Sequence, residues 1–356
     1  MSGCQIGVRY WVLPNKRQAF EPFLIMKKLP LTSVIIPCFN QSRYVEDAIR
    51  SALDQRGARQ EIIVVDDGST DESVLVASKY PGIRLIRQQN QGLSAARNAG
   101  LAASAGDYLV FLDADDRLLP HALKTGANLL DDHLSCAFVY GQYRLIDSDG
   151  LPIRAEPRQR PHAHPYLDML RFNYIGMHAT VMYRRAVFNS IGAFDTSLGA
   201  CEDYDLFLRI VRQFSIHCHD EVVAEYRQHG SNMSSSAALM LRSSLRVLHS
   251  QRRHINKNQQ GKTAYRAGMK HWQRYYGEKL IRDLRRRIIS REWSRLREDV
   301  LVLLRYYPRG LGSKALRRTL ELVNRSSKSK GLQSPKIGGP RLVELTADLN
   351  LKGKHL

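Results

Sequence analysis

Short apolar runs and helix-spaced apolar positions take turns along residues 33–112. Ser33-Val34-Ile35-Ile36-Pro37 is a β-branched run that reads as a strand. The next segment, 44–54, is apolar at Val45, Ala48, Ile49, Ala52 and Leu53, the spacing of one helix face. A second strand over 61–65 ends in Asp66-Asp67-Gly68-Ser69-Thr70-Asp71, where Ser69 or Thr70 is placed to cap a helix beginning near Asp71. A third strand follows at 83–86, an Ala-rich helix at 92–103, and a fourth strand at 108–112. Uninterrupted apolar strands alternating with helices predict a parallel, doubly wound α/β sheet with right-handed crossovers.

After Leu119 the alternation loosens. Strands are predicted at 137–146, 179–183 and 221–226, with helices at 185–191 and 202–213. Between them lie the turn Asp147-Ser148-Asp149-Gly150 and a Pro/Arg/His-rich loop at 154–165. Beyond Ser236 the pattern becomes that of basic amphipathic helices, at roughly 237–256, 262–288, 291–306 and 312–323. Residues 324–356 are polar and broken by Gly and Pro, and are expected to be loosely ordered. Residues 1–30 show no periodicity, and Met26 makes a natural start just before the first strand, so 1–25 read as an extension or a misassigned start. The expected organisation is an N-terminal extension over 1–30, an α/β domain over 31–236, a basic helical region over 237–323 and a tail over 324–356.

Charge sharpens the last boundary. The 356 residues carry a net charge of +20, yet residues 237–356 hold 29 Lys+Arg against 8 Asp+Glu, or +21, and leave the first 236 at −1. Cations on helices with apolar faces suit docking on an anionic inner leaflet, an ordinary solvated basic face, or phosphate contacts with nucleic acid. No recognised nucleic-acid motif accompanies them, so that third use is ranked last. The five cysteines form no C-x-x-C pair, which argues against a zinc knuckle or disulfide framework and fits a reducing cytoplasm. No run of about 18 apolar residues is present to span a membrane.

The candidate chemistry sits at predicted strand ends. Asp113-Ala114-Asp115-Asp116 follows the fourth strand, at the carboxyl edge where open α/β sheets bind ligands. Massed carboxylates repel one another unless donors or a cation lie between them, and oxygen ligands suit Mg²⁺ or Mn²⁺. Asp66 and Asp67 leave the second strand into a turn, where one carboxylate can accept from a base N–H or simply shape the loop. Arg97, on the helix after Gly92, can face a nucleotide or the acid cluster, or be a surface or structural arginine. Glu202 and Asp203 open a helix, where the dipole favours acids in any case.

Six segments in order resemble one family. They are 32–40 (ending Pro37-Cys38-Phe39-Asn40), 64–71, Asn90-Gln91-Gly92-Leu93-Ser94-Ala95-Ala96-Arg97-Asn98, 111–116, Glu202-Asp203-Tyr204-Asp205-Leu206 and 226–234. Together they are similar to the signature series of family 2 inverting glycosyltransferases over residues 31–236. The resemblance implies a GT-A-type, mostly parallel doubly wound sheet, here joined to a basic α-helical C-terminal region. It implies a nucleotide-sugar donor, most simply linked to uridine diphosphate, and a glycan or lipid-linked glycan acceptor. By resemblance Asp203 is the general base and Glu202 its neighbour that binds acceptor or places the loop. Asp67 is assigned to the base, and Pro37 and Asn40 lie against base and ribose. Asp115 is a metal ligand for Mn²⁺ or Mg²⁺, Asp113 is shared between metal and ribose, and His229 is a third ligand. Asp116 is a supporting acid or helix cap. The enzyme so implied is a hexosyltransferase on the cytoplasmic side, with possible peripheral contact with anionic membrane. A sugar-phosphate nucleotidyltransferase shares the layout but needs a Gly-rich basic loop where this chain has Pro37-Cys38-Phe39-Asn40. An inactive domain that binds membrane or nucleic acid is disfavoured by intact Asp113, Asp115 and Asp203.

Overall fold

The structure is a computed structural model and describes residues 29–155, 164–230, 232–255, 258–290 and 296–308. The expected N-terminal extension up to residue 28, most of the 154–165 loop, the helix at 312–323 and the tail lie outside the described residues.

The first half winds as the pattern predicts. Strands β1 (Leu31–Cys38), β2 (Arg59–Asp66), β3 (Arg84–Arg87) and β4 (Tyr108–Phe111) alternate with helices α1 (Val45–Leu53), α2 (Ser73–Ala77) and α3 (Leu93–Ala103). β2 and β4 flank β1 in parallel, and β3 pairs parallel to β2. The period of two sorts the core: Val34 and Ile36 with Val110 and Leu112 face one side of the sheet, while Ile35 with Leu109 and Phe111 face the other. Pro37 lies deep in β1 at a place where its missing N–H is tolerated. Pairing with β4 ends at Ile35–Phe111, while pairing with β2 continues to Cys38–Asp66.

The sheet continues past β4 as a mixed one. β5 (Arg117–Leu118), α4 (Ala122–Asp132), β6 (Cys136–Ile146), β7 (Pro152–Ala155), α5 (Pro165–Arg171), β8 (Val181–Arg184), α6 (Arg185–Ile191), α7 (Glu202–Val211) and β9 (Ser215–Arg227) follow in order. Among the described residues the sheet runs β3-β2-β1-β4-β8-β6-β9-β5, with β7 on β6. β8 is antiparallel to β4 and β6, and β9 runs parallel to β6. α5 and the short strands β5 and β7 carried too few periodic positions to be read in advance, whereas α4 buries Ala122, Leu123, Gly126 and Leu130 at helical spacing and was missed. β9 begins at Ser215 rather than at 221, because its first half is polar and half-exposed and is a strand only through its pairing with β6.

One expected cap is corrected. α2 has no side-chain cap from Ser69 or Thr70. Asp71 takes that place, its Oδ1 accepting from the Ser73 N–H at 3.0 Å and its Oδ2 from the Ser42 N–H at 3.0 Å. Ser69 and Thr70 instead bond Asn40, which sits at a positive φ of 52°.

The C-terminal helices are α8 (Ala237–Ser250), α9 (Arg252–Ile255), α10 (Gln259–Ile289) and α11 (Leu296–Tyr306). The charge boundary coincides with the start of α8, but the hydrophobic core crosses it. One buried cluster joins Phe111, Phe138 and Phe207 of the sheet side to Leu241, Leu245, Trp272, Leu280 and Leu303 of these helices. No helix among the described residues is long and apolar enough to cross a membrane.

Candidate active site

The acids expected at strand ends do gather at the carboxyl edge of β1, β2 and β4, and the element that joins them is α3. Arg97 projects from α3 and is 2% exposed, so it is not a surface arginine. Its Nη2 donates to Asp113 Oδ1 at 2.6 Å, and its Nη1 donates to Glu202 Oε1. A buried guanidinium needs such partners, and its planar fork can serve two carboxylates at once. The result places the start of α7, with Glu202 and Asp203, beside the acids that follow β4.

Asp203 is half-buried at the first turn of α7. Burial pushes its carboxyl up to about 7, the neighbouring Glu202 charge adds to this, and Arg97 opposes it. A carboxylate poised near neutrality can both take and hold a proton under ordinary conditions. Cys201, the residue before α7, adopts a left-handed φ of 62°, which aims the chain into this turn.

The other acids separate by environment. Asp115 Oδ2 lies 2.9 Å from His229 Nε2. Burial and the Asp113 charge raise the Asp115 pKa, and His229 lowers it. Asp116 is buried and held well above the usual carboxylate range by burial and by its two acidic neighbours, while its Oδ1 accepts from the Arg227 N–H at 2.8 Å. It is thus a supporting acid and caps no helix in this structure. The His229 side chain is 6% exposed, and its ring lies 4.8 Å from that of Tyr44.

Two oxygens and an imidazole nitrogen are a fitting donor set for Mn²⁺ or Mg²⁺, and crowded carboxylates with raised pKa values are what a cation would relieve. Asp115, His229 and Asp113 are the residues that could hold it. Among the described residues no three His, Cys, Asp or Glu side chains already converge as a closed ligand set. Arg97 occupies one oxygen of Asp113, which leaves Asp115 and His229 as the assembled pair.

At the neighbouring strand end, Asp67 is 3% exposed and spends its carboxylate on the loop before α3. Oδ1 accepts from Gln88 Nε2 at 2.7 Å and the Gln91 N–H at 2.9 Å, and Oδ2 accepts from the Gly92 N–H at 2.7 Å. This geometry favours the loop-shaping reading of Asp67. Asn40 is fixed over the same edge, its Oδ1 accepting from the Thr70 N–H at 2.8 Å. Phe39 beside it is exposed.

Sequence reasoning gave Arg227 no role, although it stands in the 226–234 segment. It is 1% exposed and locks three parts of the site together. Its Nε donates to the Asp115 carbonyl at 2.8 Å, its Nη2 to Asp47 Oδ2 at 2.6 Å and its Nη1 to the Ser148 carbonyl at 3.1 Å. The Tyr44 ring stacks at 4.8 Å from its guanidinium. An arginine at the end of a predicted strand, inside the 226–234 segment, was the available signal.

Known proteins share the family pattern and the fold. The pattern of the family described as "Glycosyl transferase family 2" matches residues 33–192. An uncharacterized glycosyltransferase of Rickettsia prowazekii (strain Madrid E) is 33% identical over 214 residues, covering 58% of this chain and 67% of that one. The putative teichuronic acid biosynthesis glycosyltransferase TuaG of Bacillus subtilis (strain 168) is 32% identical over 213 residues, covering 58% of this chain and 82% of that one. Among solved structures, that of S. aureus TarS 1-349 in complex with UDP-GlcNAc shares the fold at a TM-score of 0.52 and 19% identity, over 70% of this chain and 73% of that one.

Proposed function

This chain belongs to glycosyl transferase family 2, and from that premise we propose that it transfers a sugar from a uridine diphosphate-linked donor to a hydroxyl of a glycan or lipid-linked glycan, with inversion. The observation that carries this reading is the Arg97 bridge between Glu202 and Asp113, which sets the candidate base beside the candidate donor site. The UDP-GlcNAc bound by the structural neighbour supports the donor class, and the glycan named for TuaG supports the acceptor class.

Inverting transfer is one in-line displacement at the anomeric carbon. The acceptor oxygen bonds to that carbon as the bond to the diphosphate oxygen breaks, and the acceptor's proton goes to the Asp203 carboxylate. One positioned base suffices, and no second carboxylate nucleophile is needed, unlike a retaining pair. Glu202, tied to Arg97, keeps the first turn of α7 in place. Asp115 and His229, with Asp113, would hold Mn²⁺ or Mg²⁺, which supplies charge neutralisation for the departing diphosphate. Asn40, Pro37 and the Asp67-braced loop form the floor against which base and ribose would rest. The outward cations Arg266, Lys270 and Arg274 of α10 suit a peripheral contact with an anionic membrane on the cytoplasmic side.

Thermal-shift measurement with uridine, adenosine and guanosine diphosphates, each with Mn²⁺ and Mg²⁺, tests the donor and metal together. Uridine diphosphate with Mn²⁺ is expected to stabilise the protein, and Asp115→Ala to abolish that shift. An undiminished Mn²⁺-dependent shift in Asp115→Ala sinks the metal assignment.

A further inference from the structure

α10 packs beside the α/β core and touches two segments that carry site residues. Trp272 donates from Nε1 to the Tyr204 hydroxyl at 3.4 Å, and Tyr204 is next in sequence to Asp203. Two turns further on, Lys279 donates from Nζ to the Ser234 carbonyl at 2.9 Å. The Ser234 hydroxyl in turn bonds that of Tyr226 at 2.9 Å, three residues before His229. Between these two contacts stands Tyr276, stacked on Trp272 with centroids 5.4 Å apart and planes 14° apart. Its hydroxyl makes no hydrogen bond to a described residue. Burial raises its pKa, and the charges of Cys201, Tyr275, Asp203 and Tyr226 add to the rise.

The helix then carries cations away from that point. Counted at about 100° per residue, Tyr275, Tyr276, Lys279, Arg282 and Arg286 fall within about 120° of one another. Arg282 and Arg286 are exposed, Lys279 is half-exposed, and Tyr275 is 57% exposed. Asp283 pairs with Arg286 at 3.1 Å, which leaves this strip with a surplus of two positive charges. Lys279 spends one ammonium proton on Ser234 and keeps two for a ligand. Like charges on adjacent turns of a helix repel one another, and an anionic ligand lying along them removes that cost.

We propose that this face of α10 is the acceptor subsite, and that it takes an anionic glycan, a sugar chain bearing carboxylate or phosphate groups. Tyr275, the exposed ring of the strip, lies against a sugar ring with a polar tip for its hydroxyl, and Lys279, Arg282 and Arg286 meet the acidic groups. The proposal rests on the glycosyltransferase reading and names its acceptor class.

The test is a titration of the full chain, with uridine diphosphate and Mn²⁺ present, by a fluorescent oligoglucuronate and by an oligo(glycerol phosphate) at about 0.15 M salt, where exposed long-range charge effects are damped. The triple variant Lys279→Gln, Arg282→Gln, Arg286→Gln is expected to lose at least ~10-fold in affinity for the acidic oligomers, since it removes three cations complementary to them. Arg266→Gln, Lys270→Gln, Arg274→Gln removes the same charge from the opposite side of the helix and is expected to change it by less than ~2-fold. Tyr275→Ala removes the exposed ring, leaves the buried stripe intact and is expected to weaken binding of both oligomers. Which oligomer binds more tightly separates carboxylate from phosphate. Equal loss in both triples, or equal binding of carboxyl-reduced oligosaccharide, overturns the proposal. So does binding confined to phosphatidylglycerol vesicles, which would make the strip a membrane face. The uridine diphosphate thermal shift is read in the same samples. Its absence in the parent protein would count against the donor reading, while the glycan titration stands by itself.

Discussion

Asp203 shows how one residue's surroundings decide its use. Burial and Glu202 hold its pKa up to about 7, and the active form of a general base is the deprotonated one, so turnover is expected to rise with pH through about 7 and level off above it. Asp203→Asn is expected to leave uridine diphosphate affinity intact and cut turnover by ~10²–10⁴. A second measurement separates chemistry from architecture. The folded state holds this proton more tightly than the unfolded chain does, so the stability it contributes is present at acid pH and is lost as pH rises through about 7. Denaturant unfolding should therefore find Asp203→Asn at least as stable as the parent at pH 8. Near-normal turnover in that variant would move the base to Glu202. The place of Asp203 in the first turn of a helix was legible, because Glu202-Asp203 stands directly before helix-spaced apolar positions. Arg97 was only half legible: its partners Glu202 and Asp113 lie 105 and 16 positions away, and nothing local chooses between them and a nucleotide. Arg227 was illegible for the same reason, since Asp47 is 180 positions distant.

At the scale of elements, legibility followed how much of a segment's pattern is its own. The buried strands β1, β2 and β4 announce themselves by continuous apolar runs, and α1 by its single apolar face. The first half of β9 does not, because only its partner β6 makes it a strand. α10 is the informative intermediate. Its buried residues Ala264, Gly268, Trp272, Tyr276, Leu280, Leu284 and Ile288 recur every fourth position, so the buried stripe turns by about 40° at each step instead of keeping to one side. Different neighbours meet it in succession, α5 first and α11 later. Gly268 marks the tightest approach: an added Cβ would lie 1.9 Å from the Leu170 carbonyl oxygen, a backbone atom of α5. In a free helix Gly→Ala gains about 1 kcal/mol. Here the clash reverses the sign, and Gly268→Ala is expected to destabilise by ~1–3 kcal/mol, the range for overpacking. Urea unfolding checks it, and a stabilised variant would show that α10 and α5 do not pack this closely.

Over the whole molecule, the question is whether the charge boundary near 236 is also a boundary of folding. Composition alone separates a neutral part from a basic one, and the surface charge does change there. The interior does not, because Phe207 and Tyr204 of α7 share one core with Leu241, Leu245, Leu248, Trp272, Leu280, Leu284 and Leu303. Each of those seven side chains is at most 9% exposed, and burying such a group is worth ~1.5–3 kcal/mol. Their sum, on the order of 10–20 kcal/mol, matches or exceeds the ~5–15 kcal/mol by which a whole domain is stable. A chain ending at residue 236 would also expose the partner faces of α5 and α7 to water. It is therefore expected to lose cooperative thermal unfolding, while a chain ending at residue 308 keeps it; circular dichroism melts of the two decide. A cooperative melt of the shorter chain close to that of the full protein would establish the helices as a separate unit. Short of that result, deletion cannot report on the basic surface, since it removes the core along with the charge. Membrane or glycan contacts of α10 are then resolved only by substitutions that change its exposed cations and leave its buried stripe untouched.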